Sequence, residues 1–201
     1  MKSIRVAVTA AAVVVGLTAC SSPMHAGAAA VVGNERISTS KLSADTRAYL
    51  AALKQNQLDE QALGVPATQV VLQRLVNVSI SKQLMARYNI RVSETEIDAA
   101  LKDPGQFESP QINLLANGVS PNDARDYGRI MVGLSKLQQQ FGGEAGRQKL
   151  GQEFASIKAV FNPRYGVLNP QRSQENPALF LDAGRFGKQI EQAQPQQQPQ
   201  G

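Results

Sequence analysis

One apolar stretch, residues 65–101, constrains the fold more than any other part of the sequence. Within it, apolar side chains recur three or four residues apart, which is the spacing of an α-helix. These side chains are Val71, Leu72, Leu75, Val76, Val78, Ile80, Leu84 and Tyr88. Because together they form a stripe too wide for a surface helix, the pattern predicts a helix that is buried on more than one side.

A second, shorter helix is predicted after a joint at residues 89–92, which reads Asn-Ile-Arg-Val and interrupts the spacing. Ser93 follows the joint and Glu96 stands three residues later, a pairing typical of the capping box that opens a helix. Glu94, Glu96 and Asp98 also fit a carboxylate pair or a metal site. Acids in a first turn offset the dipole of the helix, however, and we interpret these three as solvated residues of that kind.

The long helix, the joint and the capped helix together resemble one known family. Residues 72–101, LQRLVNVSISKQLMARYNIRVSETEIDAAL, are similar to the helix–joint–helix segment of SurA-type N-terminal chaperone domains. Such domains also occur in foldase lipoproteins and are related to the chaperone domain of trigger factor. Residues 30–38, AVVGNERIS, resemble the lead-in strand of the family with Gly and Asn transposed, and residues 162–166, NPRYG, resemble the end of the domain in actinobacterial lipoproteins.

The resemblance covers residues 29–102 and implies both a fold and a function. The implied fold is mainly α, a SurA-N-like helical chaperone domain with a small pairing of terminal β-strands. The implied function is that of a clamp whose apolar cleft holds extended, unfolded polypeptide. Many relatives carry an inserted parvulin-type prolyl isomerase domain with characteristic histidines. Between Leu101 and Phe161 this chain has neither the room nor a histidine, so the resemblance implies a chaperone domain without the isomerase.

The rest of the chain predicts further helices between two extended segments. The predicted helices run from Ser40 or Ser43 to about Gln57, over 106–117, from Ser120 to Phe141, and over 144–152. Residues 29–38 predict two short strands joined by a turn at Gly33-Asn34, and residues 157–167 predict another strand. Because the extended segments stand at opposite ends of the helical set, we expect the strand near residue 160 to pair with the strand near Val32.

The N-terminal residues predict a secretory signal that ends in a lipobox. Lys2 and Arg5 precede an apolar run at residues 6–17, which is too short to span a bilayer. Small residues then lead directly to Cys20, the only cysteine of the sequence and the expected site of lipidation. The alternative is an ordinary secretory signal that is cleaved near residues 26–30 and leaves no anchor.

Five segments follow from these patterns. They are a signal peptide at 1–19, a tether from lipidated Cys20 at 20–28, the helical domain at 29–168, an irregular extension at 169–188 and a disordered Gln/Pro-rich tail at 189–201. Within the extension, residues 179–181 are an apolar cluster that we expect to be exposed. The predicted location is the extracytoplasmic face of the cell membrane, where the lipid would anchor the protein.

Composition excludes several classes of function. His25, the only histidine, falls in the predicted tether, so the helical domain lacks the histidine of a Ser-His-Asp triad or of a histidine zinc site. A single cysteine excludes an internal disulfide and a cysteine-rich metal site. The net charge of +5 is small and dispersed, and it loses Lys2 and Arg5 with the signal, so it does not indicate a nucleic-acid partner. We predict no catalytic residue, no metal and no cofactor.

Four apolar side chains are the candidate residues for binding a client polypeptide, namely Met85, Tyr88, Met131 and Leu134. Methionine on an apolar helical face is ordinarily a core residue, but its flexible side chain also suits a surface that accepts varied partners. Two arrangements fit the pattern, an open cleft and a closed core. The oligomeric state has no signature in the sequence.

The predicted function is that of a membrane-anchored chaperone-like lipoprotein that binds unfolded or secreted polypeptides without catalysis. One alternative is a structural or partner-specific envelope lipoprotein that docks a single protein, and another is a prolyl isomerase. A broad apolar groove favours varied clients, whereas a polar, charged face favours a dedicated partner.

Lipidation at Cys20 is directly testable by metabolic labelling with a clickable fatty acid. We expect the wild-type protein to incorporate the label and the Cys20→Ala variant to incorporate none. Two acyl chains are expected, because a single chain gives only marginal, reversible membrane binding. Equal labelling of the two proteins would show that Cys20 is not the acceptor.

Overall fold

A small antiparallel sheet joins the two ends of a helical domain in the computed structural model, which describes residues 26–173 and 178–181. The elements in chain order are β1 Ala28–Val32, β2 Glu35–Ser38, α1 Thr39–Gln55, α2 Ala67–Arg87, α3 Glu94–Lys102, α4 Pro110–Ala116, α5 Ala124–Gln140, α6 Gly146–Ser156, β3 Ala159–Phe161, β4 Val167–Leu168 and β5 Phe180–Leu181. The predicted mainly α fold with a small pairing of terminal strands is confirmed.

Several predicted features lie outside the described residues. These are the signal peptide, the lipidation site Cys20, His25 and the tail at 189–201. The predicted tether at 20–28 overlaps the described part only at its end, where Ala28 is already a buried residue of β1. Among the helices of the described part, none combines the length and the apolar character needed to cross a membrane.

β1 is the central strand of a sheet with the order β2-β1-β3. β1 and β2 form a hairpin through residues 33–34, where Gly33 has a φ of +55° that glycine adopts without a steric penalty. β3 lies antiparallel on the other side of β1, with Val31 opposite Val160. The predicted pairing between the strand near residue 160 and the strand near Val32 is therefore confirmed.

The helix α1 begins immediately after β2. Its N-cap is Ser38, whose hydroxyl accepts a hydrogen bond from the backbone N–H of Lys41 at 3.1 Å. The predicted caps Ser40 and Ser43 are wrong, since both lie inside α1. The extended backbone at the end of β2 already gives Ser38 the conformation that an N-cap residue needs, so the helix starts without an intervening loop.

The helix α2 is surrounded by the rest of the domain. Its residues 78–81 are buried in succession, and four consecutive residues cover a full helical turn. Tyr49 of α1 is fully buried in the same core and donates a hydrogen bond from its hydroxyl to the carbonyl of Leu115 at 2.8 Å. The prediction that this helix is buried on more than one side is confirmed.

Two polar contacts hold the β1–β2 hairpin against α2. The side-chain amide of Gln83 donates to the carbonyl of Val32 at 2.9 Å, and the hydroxyl of Ser79 donates to the carboxylate of Glu35 at 2.5 Å. Because a buried polar group without a partner is costly, these contacts allow polar residues on a helix that faces the core.

The C-terminal apolar cluster is buried, contrary to expectation. Leu179 and Phe180 are only 8% and 4% exposed, because β5 pairs with β4 and the ring of Phe180 packs edge-on against Phe161 with 5.1 Å between centroids. Gly166, with a φ of +93°, leaves space for the carbonyl of Leu181, which a Cβ at that position would overlap. Part of the predicted irregular extension is thus a short strand.

Burial of α2 predicts a large cost for truncating its core side chains. Leu75 is 4% exposed, so Leu75→Ala should lower the free energy of unfolding by about 2–5 kcal/mol, through lost apolar burial and the cavity left behind. Urea denaturation of the two proteins measures this change. Leu58→Ala, at a more exposed leucine, is the control and should alter it by less than about 0.5 kcal/mol. A similarly small effect of Leu75→Ala would contradict the assignment of α2 to the core.

Candidate functional site

A groove opens between α3, α4 and α5, with a volume of about 210 Å³. It is lined by Ala100, Leu101, Asp103, Pro110, Asn113, Leu114, Asn117, Tyr127, Gly128 and Met131. Most of this wall is apolar, with two side-chain amides and one carboxylate. Since pockets for drug-sized molecules are typically about 300–1,000 Å³, this groove has room for one large side chain and not for a folded partner.

Two glycines bring the walls of the groove close together. Gly118 follows α4 with a φ of +70°, and a Cβ there would lie 2.5 Å from Cγ1 of Val70, so the turn after α4 rests directly on α2. Gly128 of α5 faces α3, where a Cβ would lie 3.1 Å from the side chain of Leu101 and 3.4 Å from that of Ile97. Ile97 is fully buried in this contact. The floor of the groove is thus made of closely packed helix backbone and core side chains.

Ion pairs join α3 to α5 on the surface next to the groove. Arg125 donates to Asp98 at 2.8 Å and also to Glu94, and Arg129 donates to Glu94 at 2.9 Å. All four side chains are substantially exposed, so each pair contributes little to stability by itself. Glu94 and Asp98 are exposed, as predicted, and in addition pair with two arginines of α5. The sequence shows these arginines but not that α3 and α5 are neighbours.

The predicted capping box is present at the start of α3. The backbone N–H and the hydroxyl of Ser93 both donate to the carboxylate of Glu96 at 2.9 Å. Lys136 of α5 lies 2.6 Å from the same carboxylate and also donates to the carbonyl of Arg91 at 3.0 Å. The hydrogen bond from Lys136, followed by those from Ser93, lowers the pKa of Glu96 to about 2. Lys136 therefore ties both the joint and the first turn of α3 to α5.

The four candidate client-binding residues do not form one surface. Met131 is 51% exposed and lines the groove. Met85 is only 7% exposed and packs with Val78 and Ile130. Its side chain fills the space next to Gly133, which a residue with a Cβ at that position would occupy.

The other two candidates lie partly buried on different parts of the core. Leu134 packs against the cluster around Met85. Tyr88, at the end of α2, packs edge-on against Phe141 with 4.9 Å between ring centroids. The helical faces therefore form a largely closed core, and Met131 alone among the four candidates faces the groove.

Arg74 of α2 lies beside the groove, in contact with two of its lining residues, and was not singled out by the sequence. Its Nε donates to the carbonyl of Asn117 at 2.7 Å, and its guanidinium lies 5.0 Å from the ring centroid of Tyr127. Burial lowers the pKa of Arg74, while the nearby Tyr127 and Tyr49 raise it; arginine nevertheless stays protonated in proteins. The sequence did contain a signal for this residue, because Arg74 is a charged residue between Leu72 and Leu75 in a helix that is predicted to be buried.

A second charged cluster lies where α1 contacts the start of α5. Asp45 of α1 and Asp123, just before α5, are both buried and both lie 2.7 Å from the amine of Lys41. Asn122 also donates to Asp45 at 3.3 Å. Burial raises the pKa of Asp123, and Lys41 opposes that rise. This cluster links α1 to the start of α5.

Within the ranges described, no three acidic, histidine or cysteine side chains are grouped as a metal site would require.

Comparison with protein families gives one match. A family model described as the SurA-like N-terminal domain matches residues 1–113, more than half of the 201 residues. The matched part extends from the N-terminus into α4 and so includes the hairpin, α2, the joint and the capped helix α3. Searches of the curated proteins and of the solved structures found no match.

The contact between Lys136 and Glu96 predicts a pH dependence. Because the pKa of Glu96 falls from its ordinary value of 4.5 to about 2 on folding, this pairing stabilises the fold above pH 4.5 and is lost as the pH falls toward 2. Lys136→Met should raise the pKa of Glu96, which NMR titration of its carboxyl carbon measures. Arg147→Met removes the partner of the remote, exposed Glu144 and is the control. An unchanged pKa in Lys136→Met would refute the pairing.

Proposed function

Because this chain belongs to the SurA-like N-terminal domain family, we propose that it is a chaperone-like protein that holds extended, unfolded polypeptide in the groove between α3, α4 and α5. The observation that carries the proposal is the exposed side chain of Met131 in the wall of that groove. Met131 extends the apolar wall formed by Leu101 and Leu114 into one contiguous apolar surface, and contiguous apolar surfaces mark binding sites.

The chemistry of the groove suits single apolar side chains of a client. Leu101, Leu114 and Met131 supply apolar contact, and the flexible side chain of Met131 adapts to different shapes. An unfolded client loses conformational entropy when it is held, which offsets much of the gain from burial. We therefore expect micromolar affinity, which corresponds to about −8 kcal/mol.

Two amides at the edge of the groove suit the backbone of an extended chain. Asn113 and Asn117 lie one helical turn apart, and the amide nitrogen of Asn117 donates to the side-chain oxygen of Asn113 at 2.9 Å. That oxygen retains a second lone pair, which would accept an N–H group from a client backbone. Such a contact is independent of the client's sequence, as a general holding function requires.

The proposal places the domain close to the extracytoplasmic face of the cell membrane, anchored through lipidated Cys20. The support is the lipobox-like sequence that ends at Cys20, eight positions before β1 begins at Ala28. Since an extended chain spans at most about 3.6 Å per residue, β1 would lie within about 29 Å of the anchor. A groove held so near the membrane would meet secreted polypeptides as they emerge.

The proposed function includes no catalytic step, metal or cofactor. Its support is the sequence itself, in which the only histidine is His25, ahead of β1. A second candidate function is the docking of one dedicated envelope protein. The exposed ion pairs of Glu94, Asp98, Arg125 and Arg129 beside the groove favour that candidate, because charged faces confer partner specificity.

Binding of a fluorescent unfolded polypeptide, measured by anisotropy, tests the proposal. With the mature chain carrying Cys20→Ala, we expect micromolar binding that persists at about 0.5 M salt, because apolar contact is not screened as exposed charge is. Met131→Gln should weaken binding several-fold, since it removes the apolar wall. Leu168→Gln, at an exposed leucine of β4, is the matched control and should bind as the parent protein does.

Three outcomes would overturn parts of the proposal. Binding that vanishes at high salt would favour the dedicated dock. Equal binding by Met131→Gln and its control would exclude the groove as the binding surface. Turnover above background in a parallel prolyl isomerisation assay would refute the statement that the protein catalyses nothing.

A further inference from the structure

Arg74 is a half-buried cation without a carboxylate partner among the described residues. Its one side-chain hydrogen bond within that part of the chain runs from Nε to the carbonyl of Asn117. Arg87, on the same helix but exposed, shows the ordinary arrangement, because its guanidinium donates to the carboxylate of Glu153 at 2.8 Å. The two arginines thus differ in both burial and pairing.

The surroundings of Arg74 compensate its charge only in part. A buried charge is costly unless it is paired, and here the face of Tyr127 and one backbone carbonyl are the favourable contacts. A guanidinium carries five N–H donors in a planar fork that matches a carboxylate. Four of those donors reach no acceptor in the described residues.

The unused donors of Arg74 are open to an incoming group. Within the described part of the chain, no buried side-chain nitrogen lacks a hydrogen-bond partner. The two terminal nitrogens of Arg74 have no such partner, so they are not buried and solvent reaches them. A ligand that reaches these nitrogens would replace solvent there.

Arg74 also lies next to the groove. Its two contacts, Asn117 and Tyr127, are both lining residues of the groove. Among the lining residues one is charged, Asp103, and it follows the C-terminal end of α3. Arg74 thus places positive charge beside an apolar depression, and this combination suits a ligand in which a carboxylate is adjacent to a large apolar side chain.

We infer that Arg74 binds a carboxylate group of the polypeptide held in the groove, next to an apolar residue that occupies the depression. This inference rests on the proposed function and adds a chemical preference to it. The carboxylate would come either from the C-terminus of the client or from an Asp or Glu side chain. In both cases it would accept two N–H groups from the guanidinium fork, as arginine–carboxylate pairs commonly do.

The test compares three short fluorescent peptides with the same apolar residues: one with a free C-terminal carboxylate, one amidated, and one amidated with an internal Asp. Anisotropy with the mature Cys20→Ala chain should show the carboxylate peptides binding about tenfold more tightly than the neutral one, which corresponds to about 1.4 kcal/mol. Whichever carboxylate peptide gains affinity identifies the source. In Arg74→Gln the advantage should disappear, and in Arg87→Gln it should persist.

A second measurement needs neither a peptide complex nor a loss-of-charge variant. The NMR signal of the Arg74 Nε–H group, assigned by its absence in Arg74→Lys, should shift on addition of N-acetyl-phenylalanine and not on addition of its amide. Equal affinity of the wild-type chain for all three peptides, together with an unshifted signal, would overturn the inference while peptide binding itself stood. A shifted signal with no peptide binding would support the carboxylate site at Arg74 and contradict the proposed function.

Discussion

The burial of α2 on more than one side is the constraint on which the rest of the structure depends. Its buried residues 78–81 cover a full helical turn, so the helix needs partners on several sides, and here α1, α5, α6 and β1 supply them. Among the described residues, one large cluster of buried apolar side chains contains Val71, Leu72, Leu75 and Val76 of α2. One apolar depression that remains open is the narrow one that α3 and α4 form with α5.

Sequence patterns predicted correctly those features that depend on residues close together in the chain. The helical spacing of α2 and the Ser93–Glu96 capping box were predictable, because each depends on residues only a few positions apart. The pairing of β1 with β3 was predictable from chain order, since the two segments bracket the helices. The burial of Phe180 was not predictable from the sequence. It depends on contact with the ring of Phe161, nineteen positions earlier, and on the pairing of β4 with β5, which have two residues each.

The site shows the same division between local and distant information. Met85 is buried in the space that Gly133 leaves open, whereas Met131 is exposed in the wall of the groove, and the sequence does not distinguish the two methionines. The partners of Glu94 were present in the sequence as Arg125 and Arg129, but only the packing of α3 on α5 identifies them. Such pairings depend on which helices become neighbours, and the helical pattern does not encode that.

The central position of β1 has a consequence for the time course of folding. Asn162 donates a hydrogen bond to the carbonyl of Ala28 across 134 positions of sequence, so the middle strand of the sheet lacks one neighbour until almost the whole domain has been synthesised. The chain is synthesised from its N-terminus and a domain folds as a unit, and contacts between distant segments form slowly. A growing chain therefore carries an unpaired strand edge at β1 until β3, which follows the last helix, has been made.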